Sequence, residues 1–453
     1  MASTRPLTAP EASRSMALSV GEGVLYAVMV GFGDAYFLAD AVRLGASSLE
    51  QALVVTLPLL GGALGSVAAL ALLRRAPRRR PVVLAGALTQ ATVLIALVVM
   101  HLTRTMTPAT LMGMAALHQV GGQCAGTAWS SWYGDLVPAG IRGRYFARRG
   151  RFTYAATCIG LVTSGLLLHR LEEGAPGTVT AGAGGMGFAA VFGVAALARL
   201  TSSILLALSP EPPFRGLPPP KRLRTFLGTK RGRSLRRLLL LGAAVQLTVY
   251  VGSPYFGPYM LDGLHFTYAQ YMVASVSVVL TKVIVLPAWG RAIDAHGPRS
   301  VYALAVLLVA LVPLPWLVAD GLFVVVLAQA LSGASWGAYE VGYFSLVLSS
   351  STQVVRPYVF AAQNLLHGLM QVSGSLVGAW LLALFDRRFT WLFAATALAR
   401  GAVAVVAPRI VPRAAGGEEP TRRALLLRVV GIRPHGGVVH RPVEASDEEV
   451  APA

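Results

Sequence analysis

The sequence is poor in cysteine and in charged residues, and both deficits exclude whole classes of protein. Its 453 residues include two cysteines, Cys124 and Cys158, both within apolar stretches. Two cysteines are too few for a disulfide framework or a cysteine-ligated zinc site. Only 13% of the residues are charged and 55% are apolar, which is more apolar surface than a soluble domain of this length needs. The composition therefore indicates an integral membrane protein.

The patterns that accompany catalysis are also missing. The sequence contains no phosphate-binding loop, no cluster of metal ligands at a suitable spacing, and no arrangement of a nucleophile with a base. We therefore expect neither an enzyme nor an ATP-driven pump, and the sequence implies no cofactor and no metal ion.

Apolar segments long enough to cross a bilayer, which takes about 20 residues, recur along the whole chain. Twelve of them are predicted, approximately at 18–39, 51–73, 81–101, 108–132, 152–169, 184–208, 238–259, 267–288, 300–318, 321–345, 358–384 and 389–408. The sequence thus predicts an all-α membrane protein with twelve transmembrane helices.

Acidic residues are scarce, with 20 Asp and Glu against 39 Lys and Arg, and the formal net charge is +19. On a soluble protein this excess would suggest nucleic-acid binding. When both termini are placed in the cytoplasm, however, 31 of the 39 basic residues fall on the cytoplasmic side and five on the other. This is the positive-inside asymmetry of membrane proteins, so we expect both termini in the cytoplasm and no nucleic-acid partner.

One long hydrophilic interruption, rich in Pro and Arg, divides the segments into two sets of six. It predicts a cytoplasmic linker at 209–237 between halves at 18–208 and 238–410, with an N-terminal tail at 1–17 and a disordered tail at 411–453. Short matches relate the halves: Ala-Leu-Ala-Arg at 196–199 recurs at 397–400, and Gly122 with Gly126 is matched by Gly333 with Gly337. These matches predict a duplicated, two-fold arrangement.

The turn between the eighth and ninth segments carries the most specific motif, with Gly290, Asp294, Gly297 and Arg299 at fixed spacing. Gly290 would allow close helix approach, and Gly297 would permit a positive φ. This spacing resembles the signature loop of the major facilitator superfamily of secondary transporters. The resemblance covers about residues 18 to 408. It implies two pseudo-symmetric six-helix halves and transport of a small solute by alternating access.

A cytoplasmic gate is expected where the signature acid meets the other half. Five arginines lie between 142 and 151, and the gate candidates among them are Arg142, Arg144, Arg148 and Arg149, with Asp135 as the nearby acid. Asp294 would reach this cluster and the N-terminus of the fifth helix, where the helix dipole favours a carboxylate. The alternative role for the arginines is topology and lipid headgroup contact.

The first half departs from the superfamily pattern. Its equivalent loop, 73–80, contains no acid, and the loop before the eleventh segment offers Arg356 alone. We therefore predict a single, asymmetric latch. Substituting Asp294 by Asn should change the transport rate or the balance between the inward-open and outward-open states. Substituting Arg78 should have a smaller effect.

Charged side chains within the membrane cost a few kcal/mol, so each needs a reason. Lys282 and Glu340 fall in the inner halves of two inward-running helices, where an ion pair is possible, and Trp336 and Tyr343 flank Glu340 by one turn. Two roles are open for Glu340: it binds the substrate or a proton, or it is only a structural partner of Lys282. The other candidates are Glu22 and Asp34 for protons, and Gln119, Gln123, Asn364, His367 and Gln371 for hydrogen bonds to a solute or between helices.

The function predicted is secondary transport of a small solute, with proton coupling as a hypothesis that Glu22, Asp34 and Glu340 motivate. Movement of a lipid or lipophile and a non-transporting sensor or membrane enzyme are the alternatives. The fifth segment lacks the Gly-Pro pair of the drug-efflux branches, which weakens multidrug efflux. Richness in Ala, Gly and Arg suggests a bacterial inner membrane, where the partners would be the solute, the bilayer and protons, and we expect a monomer.

Overall fold

The structure is a computed structural model, and it describes residues 7–46, 48–75, 78–172, 185–214, 216–217, 225, 228–266 and 268–411. Within these ranges almost the whole chain is helical. The predicted tail at 411–453 lies outside the described residues except for Val411.

Six long helices form the first half. They are α1 (Ala9–Phe32), α2 (Ser48–Arg75), α3 (Arg80–Leu102), α4 (Pro108–Leu136), α5 (Arg142–Glu172) and α6 (Gly185–Leu208). A short helix, Phe37–Arg43, follows α1. Thr8 caps α1 in a capping box with Glu11, and Thr107 caps α4, whose first residue is Pro108. Such caps satisfy the free backbone N–H groups at a helix start.

The second half repeats this arrangement. It comprises α7 (Lys230–Gly252), the helical run Tyr268–Leu311, α10 (Leu322–Ser350), α11 (Arg356–Leu384) and α12 (Phe389–Ile410). The long run bends at Gly297, whose φ is 79° and ψ 155°, and we call the part before the bend α8 and the part after it α9. A left-handed φ favours glycine, so the predicted role of Gly297 is confirmed.

Ten stretches of the described helices are long and apolar enough to cross a membrane by length and composition. One of them, Val273–Leu317, has 45 residues and holds both α8 and α9, so it supplies two crossings. The 29-residue α4 is not among the ten, because polar residues such as His118, Gln119 and Gln123 lower its apolar character. With α4 included, the described helices make the predicted twelve crossings.

Helix contacts in the two halves correspond. In the first half α2 packs on α4, α3 on α6, and α1 on both α5 and α6. In the second half the α8–α9 run packs on α10 and α12, and α7 packs on both α11 and α12. Within the run, α8 lies against α10 at Trp289 and Ala334, and α9 lies against α12 at Val309 and Arg400. Close approach at small residues supports this packing: a Cβ at Gly65 would collide with the Val120 carbonyl, and a Cβ at Gly333 with that of Val278. The two-fold relation predicted from short sequence matches therefore extends to helix packing.

The repeated arginines, Arg199 in α6 and Arg400 in α12, are both buried. Arg199 donates to Ser202 Oγ (3.0 Å), and Arg400 donates to the carbonyl oxygens of Val249 (3.0 Å) and Val309 (3.4 Å). Arg400 thus makes hydrogen bonds between helices, because its acceptors lie on α7 and α9.

Several helices begin earlier than the sequence predicts. The helix α1 begins nine residues before the predicted start at 18, α5 begins ten residues before 152, and α7 begins at Lys230 within the predicted linker. The arginine-rich stretch 142–151, which precedes the predicted segment at 152–169, therefore belongs to α5. Apolar counting misses these turns because charged residues continue a helix beyond the membrane at little cost.

The halves meet through α5 against the α8–α9 run and through α11 against α2 and α4. The start of the linker lies at one end of the bundle, where Ser15 Oγ donates to Pro210 O (3.0 Å) and Gln353 Nε2 donates to Pro213 O (3.4 Å). We call this end the linker face and the opposite end the distal face.

Candidate functional site

A cavity of about 580 Å³ opens within the second half, between α7, α8, α10 and α11. Its wall combines aromatic rings, neutral amides and one charged pair. The lining residues include Gln246, Tyr250, Lys282, Trp336, Tyr339, Glu340, Tyr343, Gln363, His367 and Gln371. The structure thus brings together six of the sequence-predicted candidates, namely Lys282, Trp336, Glu340, Tyr343, His367 and Gln371.

The charged pair in this cavity is the ion pair that the sequence allowed. Lys282 Nζ lies 2.9 Å from Glu340 Oε1. The ammonium group is nearly enclosed, with a side-chain exposure of 10%, whereas the Glu340 side chain keeps 39% exposure within the cavity. The carboxylate is therefore the accessible member of the pair, and a bound molecule can reach it.

Tyr154 of α5 connects this pair to the other half of the molecule. Its hydroxyl donates to Glu340 Oε2, and the Lys282 ammonium lies 4.1 Å from the centre of its ring. Tyr154 is twelve residues from the start of α5, which places this contact about 18 Å from the linker face, near the middle of a bilayer core. One phenol therefore contacts both charges across the interface between the halves.

The rest of the wall offers hydrogen-bonding groups beside aromatic surface. Gln371 Nε2 donates to Gln246 Oε1 (3.2 Å), and the rings of Tyr343 and His367 lie 5.4 Å apart. Within the described residues, the buried atoms Tyr343 Oη, His367 Nε2 and Gln363 Oε1 have no hydrogen-bond partner. Buried polar groups are normally paired, so these three are available to a ligand or to water.

The neutral residues Gln123 and Asn364 lie outside this wall. Asn364 Nδ2 lies 3.2 Å from Gln123 Oε1, Ser66 Oγ and Thr127 Oγ1, and these contacts join α11 to α4 and α2. Of the two roles considered for them, the structure shows hydrogen bonding between helices. Gln119, one turn before Gln123, faces Gly62 of α2.

The two acids of the first half also lie apart from this cavity. Glu22 Oε2 accepts from Arg149 Nη2 (2.9 Å), and Asp34 Oδ1 lies 3.4 Å from His118 Nδ1. Glu22 is buried against α5 and α6, and Asp34 lies in the short turn after α1. The structure therefore does not gather the three proton candidates Glu22, Asp34 and Glu340 at one point.

The signature acid meets the other half at the linker face. Asp294 Oδ1 accepts from the Gly143 N–H (2.8 Å), and Oδ2 accepts from the Arg144 N–H (3.0 Å) and from Arg144 Nε (2.9 Å). The carboxylate thus caps the N-terminus of α5, where free backbone N–H groups and the helix dipole favour negative charge. The Arg144 side chain is 60% exposed, so most of this contact comes from the helix end.

Glycines allow this close approach. A Cβ at Gly290 would lie 2.6 Å from Ala147 Cβ and 2.7 Å from Gly143 O, and a Cβ at Gly143 would lie 2.5 Å from Gly290 O. Real Cβ atoms do not come this close to neighbours, so the two backbones touch only because neither residue has a side chain. The close approach predicted for Gly290 is therefore seen in the structure.

Four predicted gate arginines do not contact Asp294. Arg142 donates to the carbonyl oxygens that end α4, at Gly134 and Val137. Arg148 packs near the Phe152 ring, Arg149 turns inward to Glu22, and Arg299 donates to the end of α12. The expected cluster is dispersed because these residues lie on a helix, whose successive side chains point in different directions.

The prediction of a single, asymmetric latch is wrong. Asp135, at the end of α4, accepts from Arg79 of its own half and from Arg356 at the start of α11. All three side chains are nearly or fully buried. The first half lacks an acid in its loop, as the sequence indicated, but the preceding helix end supplies one. A second ionic contact between the halves therefore exists.

The linker takes part in this second contact. Glu211 accepts from the Arg79 N–H (2.6 Å), from Arg79 Nε (3.4 Å) and from the Arg80 N–H (3.1 Å), and the Phe214 ring lies 4.7 Å from the Arg79 guanidinium. Burial lowers the pKa of Arg79 to about 10, and the nearby Glu211 carboxylate partly opposes this shift. The guanidinium still carries its charge at neutral pH.

Sequence reasoning missed Tyr154, Gln246, Gln363, Arg79 and Glu211. Tyr154 and Gln246 do not stand out in the sequence, because a single uncharged hydroxyl or amide is common in a transmembrane helix, whereas a charged group there is costly. Arg79 is one of five arginines between 74 and 80, and no spacing distinguishes the one that is buried. A detectable signal was Glu211, the single acid between 209 and 237.

Comparison with known proteins agrees with this architecture. The model of the Major Facilitator Superfamily matches residues 238–443. No curated protein sequence matches the chain.

Solved structures similar to the chain include several transporters. An E. coli fucose:proton symporter has a TM-score of 0.71 at 15% identity, covering 88% of this chain and 98% of its own. A bacterial homologue of the iron transporter ferroportin, in an outward-facing state, has a TM-score of 0.69 at 15% identity, covering 88% and 100%. A human organic anion transporter has a TM-score of 0.63 at 16% identity, covering 87% and 100%. At these identities the likeness shows the fold.

Proposed function

Because this chain belongs to the major facilitator superfamily, with no subfamily assigned, we propose that it is a secondary transporter that carries a small polar solute by alternating access. The substrate site is the cavity beside Lys282 and Glu340. The observation that carries this proposal is the position of that cavity: it lies in the middle of the bundle, against the contact between the halves.

The contacts between the halves support a rocking mechanism. The Asp294 cap and the Asp135–Arg356 pair close the linker face, and the Tyr154–Glu340 contact lies deeper in the bundle. Breaking the first two would open the cavity to the linker face without unfolding either half. We place the linker face in the cytoplasm, since the excess of basic residues lies on that side.

The chemistry of the wall favours a solute with hydrogen-bonding groups and a compact apolar face. Amides of Gln246, Gln363 and Gln371 supply donors and acceptors, and Trp336 and Tyr250 supply flat surface. The ion pair already neutralises the net charge of the cavity. A solute that gains affinity here would place hydroxyl or amide groups on the accessible Glu340 carboxylate.

Proton coupling through Glu340 is part of the proposal. Its carboxylate is held by a cation and a phenol, and both contacts weaken if the carboxylate takes up a proton. Protonation would therefore loosen the contact with Tyr154 and favour movement of the halves. Glu22 is held in a separate buried ion pair, which favours a structural role for it.

The test begins with ligand identification. The purified protein in mild detergent is screened by thermal unfolding against sugars, amino acids, organic acids and peptides at two pH values, and a ligand at a hundred times its Kd adds about 2.7 kcal/mol if it binds only the folded state. A hit is then tested for flux in proteoliposomes, with and without a proton gradient. Binding that survives in Glu340→Gln, or binding without flux, would contradict the proposal.

A further inference from the structure

The first half contains a second, smaller cavity that the proposed solute pathway does not use. Its volume is about 80 Å³, and it lies between α1, α3, α4, α5 and α6. Glu22, Tyr26, Trp129, Arg149 and Arg199 contribute to its wall. A cavity needs about 10–15 Å³ of accessible volume to hold one water molecule. This cavity therefore has room for a small polyatomic ligand.

The charges around this cavity do not balance. Glu22 is the single carboxylate in its wall, and two guanidinium groups share it: Arg149 Nη2 at 2.9 Å and Arg199 Nη1 at 3.8 Å. The next acid along the chain, Asp34, lies in the short turn after α1 and against His118. It is near enough to interact electrostatically with Arg199, but it is not part of the cavity wall. The wall therefore holds two cations and one anion in the membrane interior, where an incompletely balanced charge is costly.

Donors in the wall are also left without acceptors. Arg199 is 2% exposed, and its Nε has no hydrogen-bond partner among the described residues; the same holds for the buried Trp129 Nε1. Aromatic rings cover the guanidinium faces, with Trp129 4.3 Å from Arg149 and Tyr26 5.0 Å from Arg199. Arg149 donates to Ser19 O and Glu22, and Arg199 Nη1 donates to Ser202 Oγ. The donors that remain for a ligand are therefore Arg199 Nε and Trp129 Nε1.

From this charge excess, the free donors and the cavity volume, we infer that the first half binds a small monovalent anion between Arg149 and Arg199. The ligand is chloride or a carboxylate group of similar size. Both ligands carry one negative charge and accept hydrogen bonds from guanidinium and indole N–H groups. The bound anion is either a free ion or the carboxylate end of a larger solute.

The second half provides a matched comparison. Arg400 occupies the position of Arg199 in the repeated Ala-Leu-Ala-Arg sequence, but it donates to the carbonyl oxygens of Val249 and Val309. An Arg400→Met substitution removes a buried guanidinium whose Nη1 and Nη2 have backbone acceptors, although its Nε, like that of Arg199, has no partner among the described residues. It therefore controls for the loss of a buried arginine as such.

Anion binding is measured on detergent-solubilised protein by thermal unfolding, with sodium chloride, bromide, formate or acetate replacing the larger sulfonate isethionate at constant ionic strength. Bromide also quenches indole fluorescence, and because the sequence has seven tryptophans, the part due to Trp129 is the component that is lost in Trp129→Phe. We expect a saturable rise in unfolding temperature and a saturable quenching component. A response to halides and carboxylates alike indicates a free ion, and a response to carboxylates alone indicates a solute group.

Four variants assign the site. Arg199→Met should abolish the saturable response, Arg400→Met should lower the unfolding temperature but keep the response, and Trp129→Phe should remove the saturable quenching. Glu22→Gln should tighten anion binding by about tenfold or more, because it removes a negative charge adjacent to the site. If the arginines had only a structural role, Glu22→Gln would not tighten anion binding. The Glu22→Gln measurement therefore tests the inference even if Arg199→Met does not fold.

The inference is overturned if no anion gives a saturable response in the unsubstituted protein, or if Glu22→Gln leaves the affinity unchanged or weaker. The measurement involves no flux and no solute from the larger cavity. Its failure would therefore leave the transport proposal intact, and a failure of transport would leave anion binding intact.

Discussion

Arg356, the first residue of α11, donates a hydrogen bond to Asp135, near the end of α4, and this contact joins the two halves at the linker face. Arg79 donates to the other carboxylate oxygen, so one buried acid serves two buried cations. Asp294 makes the corresponding contact from the second half to the start of α5. The two connections differ in chemistry, because Asp294 caps a helix end and Asp135 pairs with side chains.

Removing Asp135 should cost more than removing either cation. Asp135→Asn leaves the buried Arg356 guanidinium without its acid and leaves Arg79 with Glu211 alone, and the loss of one partner of a buried pair costs about 3–5 kcal/mol. Arg356→Met leaves Asp135 paired with Arg79 and should cost less. Thermal and denaturant unfolding in detergent measure both. A smaller loss in Asp135→Asn than in Arg356→Met would contradict this arrangement.

Gly143 should be intolerant of a side chain, and Gly140 should tolerate one. A Cβ at Gly143 would lie 2.5 Å from Gly290 O and 2.6 Å from Asp294 Oδ1, whereas a Cβ at Gly140 meets nothing within 4 Å. Gly143→Ala should therefore push the halves apart at the linker face and shift the protein toward the state open there. Gly140→Ala should leave the equilibrium unchanged.

This shift is read from the labelling rate of single cysteines placed on each face, after Cys124 and Cys158 are replaced by serine. Gly143→Ala should raise labelling at the linker face and lower it at the distal face. Equal labelling in Gly143→Ala and Gly140→Ala would show that the close contact does not hold the halves together.

The sequence predicts the fold and part of the cavity, but it predicts the gate poorly. Twelve crossings follow from apolar length, and the Lys282–Glu340 pair follows from the cost of charge in a membrane. Arg79 and Arg149 could not be assigned, because an arginine in a basic run looks the same whether it faces lipid headgroups or a buried acid. Tyr154 could not be found either, since its role depends on which helix of the other half it meets.

Tyr154→Phe should loosen the contact between the halves without disturbing the ion pair. The ring keeps its place with its centre 4.1 Å from the Lys282 ammonium, and only the hydroxyl that donates to Glu340 is lost. A hydrogen bond to a charged group contributes about 1.5–3 kcal/mol, so the state closed at the linker face should lose stability by about that amount. The same cysteine-labelling ratio measures the change.

A matched control is Tyr36→Phe, since the Tyr36 hydroxyl donates to Leu161 O (3.2 Å) within the first half. This variant removes a hydrogen bond inside one half, so it should lower overall stability without changing the labelling ratio. If both variants change the ratio equally, Tyr154 has no special part in joining the halves.

The two members of the cavity pair should respond unequally to removal. Glu340→Gln leaves the enclosed Lys282 ammonium without its counter-charge and should destabilise the protein by about 1–3 kcal/mol. Lys282→Met leaves a carboxylate that is 39% exposed within the cavity and should cost less. The double variant should recover most of the stability lost in Glu340→Gln, because no unpaired charge remains. A double variant as unstable as Glu340→Gln would mean that the ion pair does not explain the loss.

The same double variant separates the two roles of Glu340. If Glu340 only balances Lys282, the recovered protein should again bind and carry the solute identified by thermal screening. We expect the opposite result, a stable protein with at least tenfold weaker solute binding, which corresponds to about 1.4 kcal/mol. The accessible carboxylate oxygen is then the group that the solute needs, and restored stability without restored binding is a result that a structural role cannot produce.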